Sequence, residues 1–287
     1  MPATQTSGGA LSTGAVMARA SGENFPVASR LLPRRVRQHL LAIYGFARMV
    51  DELGDSAPGD RLAALDELEA DLDRAFAGRA EHPLCRRLQA TVRECALPRA
   101  PFARLIEANR EDQRVSRYDT WEQLRRYCSL SADPVGELVL GVFGMATPER
   151  IALSDSICTA LQLAEHCQDV AEDLRRDRIY IPAEDLVRFG CDPGELAAAH
   201  AGPRVREVLA LEVARARTLL REGTPLLGLL KGRARLAVAA FVAGGHAALD
   251  AIERAGFDVL AGPPNAGRAR RLRALAAVLA EGRRRGP

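Results

Sequence analysis

The chain has 287 residues, 47% hydrophobic and 27% charged, enough to bury one large core or two small ones. Its net charge is only +3 and Lys231 is its sole lysine, so the strongly basic balance of a nucleic-acid-binding protein is absent. Six cysteines (Cys85, Cys95, Cys128, Cys158, Cys167, Cys191) form no C-x-x-C pair, no charged-then-apolar segment opens the chain, and no window approaches about 18 uninterrupted apolar residues. A reduced, cytoplasmic protein without a transmembrane helix is expected.

Residues 1–21 are rich in Ala, Ser, Thr and Gly and poor in large apolar side chains, which predicts a disordered tail. From Asn24 onward apolar residues recur on a helical period. The pattern predicts helices over 34–55, 60–77, 84–95, 99–114, 120–130, 133–144, 148–176, 203–222, 225–254 and 266–283. No alternating β-branched run competes, so the fold class is all-α. Ala57-Pro58-Gly59 closes the first long helix and Ala261-Gly262-Pro263-Pro264 the penultimate one. Nothing between them resembles a linker. One domain over 22–262 is expected, followed by a basic C-terminal helix and tail over 263–287. Its Arg283-Arg284-Arg285 end is either solvated or set against anionic lipid.

The segment from Leu40 to Asp55 is apolar nearly all round yet carries charge. Tyr44, Arg48, Asp51 and Asp55 are spaced 4, 3 and 4 apart and share one helical face. Two carboxylates one turn apart repel unless a cation lies between them, and hard divalent ions such as Mg²⁺ take oxygen ligands and complete their shell with phosphate and water. Arg48 could then meet a phosphate oxygen. An ion pair of Arg48 with Asp51 or Asp55 on a solvated helix end accounts for the same residues.

A second acidic stripe follows: Gln162, Glu165, Asp169 and Asp173, spaced 3, 4 and 4. Two such stripes facing one cavity would gather up to five carboxylates around two or three metal ions, which is more specific than either stripe alone. Downstream, Arg175, Arg176 and Arg178 precede Tyr180 and Pro182. Arg178 serves equally as a phosphate clamp or as an exposed helix-end cation; Arg175 and Arg176 fit the second role.

The stretch from Trp121 to Met145, with Pro134 and Gly136, suggests a kinked or closely packed helix on a cavity wall. Tyr44, Tyr127 and Tyr180 are candidates to stabilise a cation through their ring faces, whereas Tyr118 reads as core. His39, His82, His166, His200 and His246 read as structural, and the Glu-x-x-His spacing of a di-iron bundle is missing. No Gly-x-Gly-x-x-Gly or Walker-type loop is present, so no nicotinamide cofactor is expected.

Four segments together resemble the squalene/phytoene synthase family: Asn24-Phe25-Pro26-Val27-Ala28-Ser29, Ala42 to Asp55, Tyr127 to Gly136, and Gln162 to Leu186. Glu23-Asn24-Phe25-Pro26, Phe46-Ala47-Arg48 and Gln168 to Asp173 are most similar to its hydroxysqualene-forming bacterial branch, of squalene and hopanoid biosynthesis. The resemblance implies an isoprenoid-synthase helical fold with a central cavity. It implies Mg²⁺ held by Asp51, Asp55, Asp169 and Asp173, with Glu165 as a further candidate ligand. Arg48, Arg178, Gln162 and Phe25 would bind substrate, and Tyr44, Tyr127 and Tyr180 would lie near the ionising group. The implied reaction removes diphosphate from presqualene diphosphate and adds water to the rearranged cation. Synthesis of presqualene diphosphate, squalene or phytoene is the alternative within the family, and a non-catalytic helical scaffold the alternative outside it. Implied partners are a prenyl diphosphate, the inner membrane face as a peripheral contact, and enzymes of the same pathway. Two departures stand out: relatives often carry a metal-binding asparagine at the position of Glu165, and Ser21-Gly22-Glu23 lacks a lysine that some place on the diphosphate.

Overall fold

A computed structural model describes residues 32–284, with side chains through Ala280. The expected tail 1–21, the segment 24–29 with Phe25, and the side chains of Arg283, Arg284 and Arg285 lie outside the described residues. Among those described, every regular element is a helix, apart from an isolated parallel bridge between Arg117 and Ile179. They divide into two compact units with the boundary between Glu94 and Cys95.

The first unit holds α1 (Arg34–Asp55), α2 (Arg61–Phe76) and α3 (Pro83–Cys95), the last residue of α3 falling beyond the boundary. Asp60 caps α2 by accepting from the Ala63 amide at 3.0 Å. Helix α1 buries Leu40, Ile43, Phe46 and Val50, and Phe46 and Val50 are wholly covered. Each such side chain removed from water contributes about 1.5–3 kcal/mol. His39 ties α1 to α3 through Thr91 Oγ1 at 3.0 Å. Asp71, itself buried, organises the turn after α2 by accepting from the Glu81 and His82 amides at 2.9 and 3.0 Å. Burial pushes its pKa up, but these bonds, with those of Cys85 and Arg74, outweigh it and hold the carboxyl below its ordinary value.

The second unit comprises α4 (Ala100–Glu111), α5 (Trp121–Ser131), α6 (Asp133–Val142), α7 (Pro148–Gln168), α8 (Val170–Arg175), α9 (Ala183–Arg188), a 3₁₀ turn (Pro193–Ala197), α10 (Pro203–Gly223), α11 (Leu226–Leu229), α12 (Gly232–Arg254) and α13 (Arg268–Arg284). Helix α7 is central, packing against α6, α10 and α12. Close approach depends on missing side chains. A Cβ at Gly136 of α6 would collide with Ser154 Oγ, and one at Gly223 of α10 would lie 2.6 Å from the Leu153 carbonyl oxygen. Pro134 and Gly136 therefore mark the tight packing expected of that wall, with the break between α5 and α6 at Ala132.

Two expected helices are divided. The helix predicted over 148–176 is interrupted at Asp169 (φ −102°, ψ 13°). There its carbonyl accepts from both the Glu172 and Asp173 amides, a 3₁₀-like tightening that leaves the 3-and-4 spacing unchanged and so leaves no periodic signal. The helix predicted over 225–254 divides, because Leu230 and Lys231 are extended between α11 and α12. Its C-terminal bound at 254 is as predicted, but the stop is made by Gly256 rather than by Ala261-Gly262-Pro263: Gly256 sits at φ 62°, donating to Glu253 while Phe257 donates to Ile252, a Schellman closure after Arg254. Helix α9 and the 3₁₀ turn are too short for periodicity to register.

Helix α12 is the one described helix long and apolar enough to cross a bilayer, with mean hydropathy 1.4 in its most apolar window. More than half of that window, 56%, is buried within the protein, against α7, α10 and α13. That is the setting of a core helix.

Candidate active site

In the first unit, α1 carries Tyr44, Arg48, Asp51 and Asp55 as the spacing predicts. Tyr44 is buried and the other three are half-buried. Arg48 Nη1 lies 3.4 Å from Asp51 Oδ2. That is the local ion pair raised as the simpler reading of these residues. A partly exposed pair at this spacing contributes less than about 1 kcal/mol, so it offers little resistance to a cation or phosphate that would separate its members.

In the second unit, the interruption at Asp169 does not disperse the acidic stripe. The Asp173 amide donates to the Asp169 carbonyl at 2.8 Å, so the two residues remain one turn apart. The chain then reverses at Asp177, where φ is 58°, and the Arg178 amide donates back to the Asp173 carbonyl at 2.9 Å. Beyond it the Ile179 amide donates to Ser116, and the Ala183 and Glu184 amides donate to Tyr118 and Asp119. This backbone strap sets Arg178 and Tyr180 beside α8.

A pocket results, lined by His166, Val170, Asp173, Arg178, Ile179, Tyr180 and Ile181. Of the expected site residues it gathers Asp173, Arg178 and Tyr180. Tyr127 joins through contact with Tyr180, ring centroids 5.6 Å apart. Gln162 reaches it through its amide nitrogen, 3.2 Å from His166 Nε2. Glu165 and Asp169 are half-buried on the same helical run but do not line it.

The electrostatics of this end of α7 are unbalanced. Burial pushes Asp173 up to about 7, and the neighbouring Asp169 charge adds to it, against partial relief from Arg176 and Arg178. Asp169 is raised by burial and by Glu172. Glu172 has its own partner, Arg176 Nη2 at 2.8 Å. Among the described residues, no hydrogen bond or ion pair reaches the carboxylate of Asp169 or Asp173. Two partly buried, mutually repelling oxygen donors suit a hard divalent cation. No cluster of three or more His, Cys, Asp or Glu side chains close enough to hold a metal occurs among the described residues.

Three residues acquire a place that spacing did not give them. Asp112, just past α4, accepts from the Tyr127 hydroxyl at 2.8 Å and the Tyr180 hydroxyl at 3.4 Å. Its faint sequence signal is an acidic Glu111-Asp112 pair at a helix C-terminus, where the dipole disfavours negative charge. His166 is stacked on Tyr180 at 3.8 Å, and burial lowers its pKa to about 3, so the imidazole is neutral. Tyr118 is in the core as expected, although its hydroxyl finds no hydrogen-bond partner among the described residues, and it also stacks against Tyr180 at 5.9 Å. Burial and the Asp112 charge push Tyr118, Tyr127 and Tyr180 well up, so all three remain phenols.

Comparison with known proteins adds an independent line. The family model described as squalene/phytoene synthase matches residues 18–275. A hydroxysqualene synthase of Sinorhizobium fredii is 36% identical over 213 residues, 73% of this chain and 72% of that protein. A phytoene synthase of Thermus thermophilus is 33% identical over 243 residues, 84% and 83% of the two chains. The crystal structure of squalene synthase HpnC from Alicyclobacillus acidocaldarius aligns with a TM-score of 0.79 and 48% identity, covering 88% of this chain and 95% of that one.

Proposed function

The chain belongs to the squalene/phytoene synthase family, with its isoprenoid-synthase helical fold, and on that premise we propose that it is a Mg²⁺-dependent hydroxysqualene synthase. Its substrate would be presqualene diphosphate, and water would capture the rearranged cation. The observation that carries the reading is the acidic end of α7–α8, where Asp173 lines a pocket with Arg178 and Tyr180 and burial and the Asp169 charge raise its pKa.

Asp51 with Asp55 on α1, and Asp169 with Asp173 at α7–α8, are the carboxylates assigned to Mg²⁺, with Glu165 as a further ligand. When bound, Mg²⁺ supplies positive charge that neutralises the diphosphate as it departs, a contribution of several kcal/mol. Arg178 presents a planar guanidinium suited to two phosphate oxygens, and Arg48 is assigned the same role on α1. The walls must then tolerate a carbocation without reacting. Tyr127 and Tyr180 offer ring faces whose quadrupole attracts positive charge. His166, being neutral, adds no repelling charge. Val170, Ile179 and Ile181 line the same space with apolar side chains, which cannot trap a cation.

Phytoene or squalene synthesis within the same family is the second reading, favoured by the phytoene synthase relatives. Incubation with presqualene diphosphate and Mg²⁺, without reductant, separates the two. The hydroxysqualene reading expects an alcohol product from presqualene diphosphate; consumption of farnesyl or geranylgeranyl diphosphate alone selects the second. Asp51→Asn and Asp169→Asn should each abolish turnover with the helical circular-dichroism signal nearly unchanged, and full activity in either would remove that residue from the metal assignment.

A further inference from the structure

Water capture poses a problem that the acidic stripe does not solve. The water must turn its oxygen toward the cation and hence its two hydrogens away, toward two acceptors, and one proton must then leave. A carboxylate not engaged by a metal would trap the cation as an ester, and Asp173, which lines the pocket, is assigned to Mg²⁺ and is not the water's acceptor. Asp112 occupies a different position: it sits behind Tyr127 and Tyr180, receiving both hydroxyls. A phenol whose O–H is committed to a carboxylate has only lone pairs left to offer. The two rings are held in place, Tyr180 between His166 at 3.8 Å and Tyr118 at 5.9 Å, and Tyr127 against Tyr118 at 5.4 Å. His166 Nε2 is taken up by the Gln162 amide and is not an alternative acceptor.

We propose that Asp112 is a positioning residue for the water-capture step, orienting Tyr127 and Tyr180 so that their oxygens accept hydrogen bonds from the attacking water. The inference rests on the hydroxysqualene reading and deepens it. As the water oxygen forms its bond to carbon, one water O–H bond breaks and its proton passes to a phenol oxygen. The phenol's own proton moves to the Asp112 carboxylate, and Asp112, half-exposed, returns it to solvent. The phenol is neutral before and after, consistent with burial that disfavours a phenolate. Diphosphate has already left with its bonding electron pair, so charge and atoms balance.

The test uses the full chain, presqualene diphosphate and Mg²⁺ in heavy-oxygen water, with pyrophosphate release and labelled alcohol measured separately. Asp112→Asn should leave pyrophosphate release within a factor of about two. The fraction of turnovers yielding labelled alcohol should fall about 10²-fold, the scale of a lost proton acceptor, with hydrocarbon in its place. Asp112→Glu should restore alcohol in part, and Tyr180→Phe should lower the alcohol fraction as Asp112→Asn does. A merely structural role would lower release and alcohol together; that result, or an unchanged alcohol fraction, overturns the inference. If the unaltered chain releases pyrophosphate from presqualene diphosphate but forms no labelled alcohol, the hydroxysqualene reading itself fails and the inference with it.

Discussion

Replacing Asp173 by Asn should make the metal-free protein more stable while ending its response to Mg²⁺ and pyrophosphate. The folded protein raises the Asp173 pKa from 3.8 to about 7, through burial first and the Asp169 charge second. A raised acid pKa favours the fold while the carboxyl is protonated. The fold therefore has its full stability below about pH 4 and loses it progressively as pH rises through about 7. At 1.36 kcal/mol per tenfold change in proton affinity the ceiling is about 4 kcal/mol. Solvent reaches part of this carboxyl, and screening brings the expectation to roughly 1–2 kcal/mol. An uncharged amide of the same shape avoids that cost. In a protein of this size the gain corresponds to a rise in Tm of about 2–6 °C at pH 8, vanishing near pH 4. Thermal denaturation of both proteins at the two pH values, with and without MgCl₂ plus pyrophosphate, provides the measurement. The addition should stabilise the wild type and not Asp173→Asn. An Asn variant no more stable than wild type at pH 8, or equally stabilised by the addition, would refute the reasoning.

Two further outcomes follow from packing and charge away from the pocket. Gly223→Ala places a methyl 2.6 Å from the Leu153 carbonyl oxygen and 3.0 Å from the Ile157 amide nitrogen, backbone atoms that cannot swing aside. It should cost about 1–3 kcal/mol in urea denaturation, and a neutral result would mean that α7 and α10 are not so closely apposed. Glu212 of α10 is buried beside Arg215, whose Nη1 also meets Asp185 at 2.9 Å, and Glu212 Oε2 has no hydrogen-bond partner among the described residues. Burial lifts its pKa to about 7, so it too costs stability as pH rises through neutrality. Glu212→Gln should be the more stable protein at pH 8.5 by about 1–3 kcal/mol, with the gap closing below pH 5. A gap independent of pH would show that Glu212 does not titrate in that range.

The sequence made the long helices legible because their burial is one-sided and repeats every turn. Thus α1 appears at its predicted bounds, with Tyr44, Arg48, Asp51 and Asp55 along one helix. Features that break no period were invisible: the interruption at Asp169 keeps the stripe's spacing, and the closure at Gly256 depends on a backbone angle rather than a proline. Asp112 was hidden for another reason. Its partners Tyr127 and Tyr180 lie 15 and 68 residues away, a meeting created by the strap between 116–119 and 179–184. His166 looked inert because a lone histidine has no spacing to interpret; its stacking on Tyr180 is a tertiary contact. Spacing pointed to a cation between paired carboxylates; resemblance added the reaction class, which no periodicity contains.

The most direct test of the account is the product formed from presqualene diphosphate with Mg²⁺ in heavy-oxygen water and no reductant. The account predicts hydroxysqualene carrying one atom of solvent oxygen for each pyrophosphate released, and no turnover when Mg²⁺ is chelated. An unlabelled hydrocarbon as the product, or presqualene diphosphate left intact while another prenyl diphosphate is consumed, would contradict it.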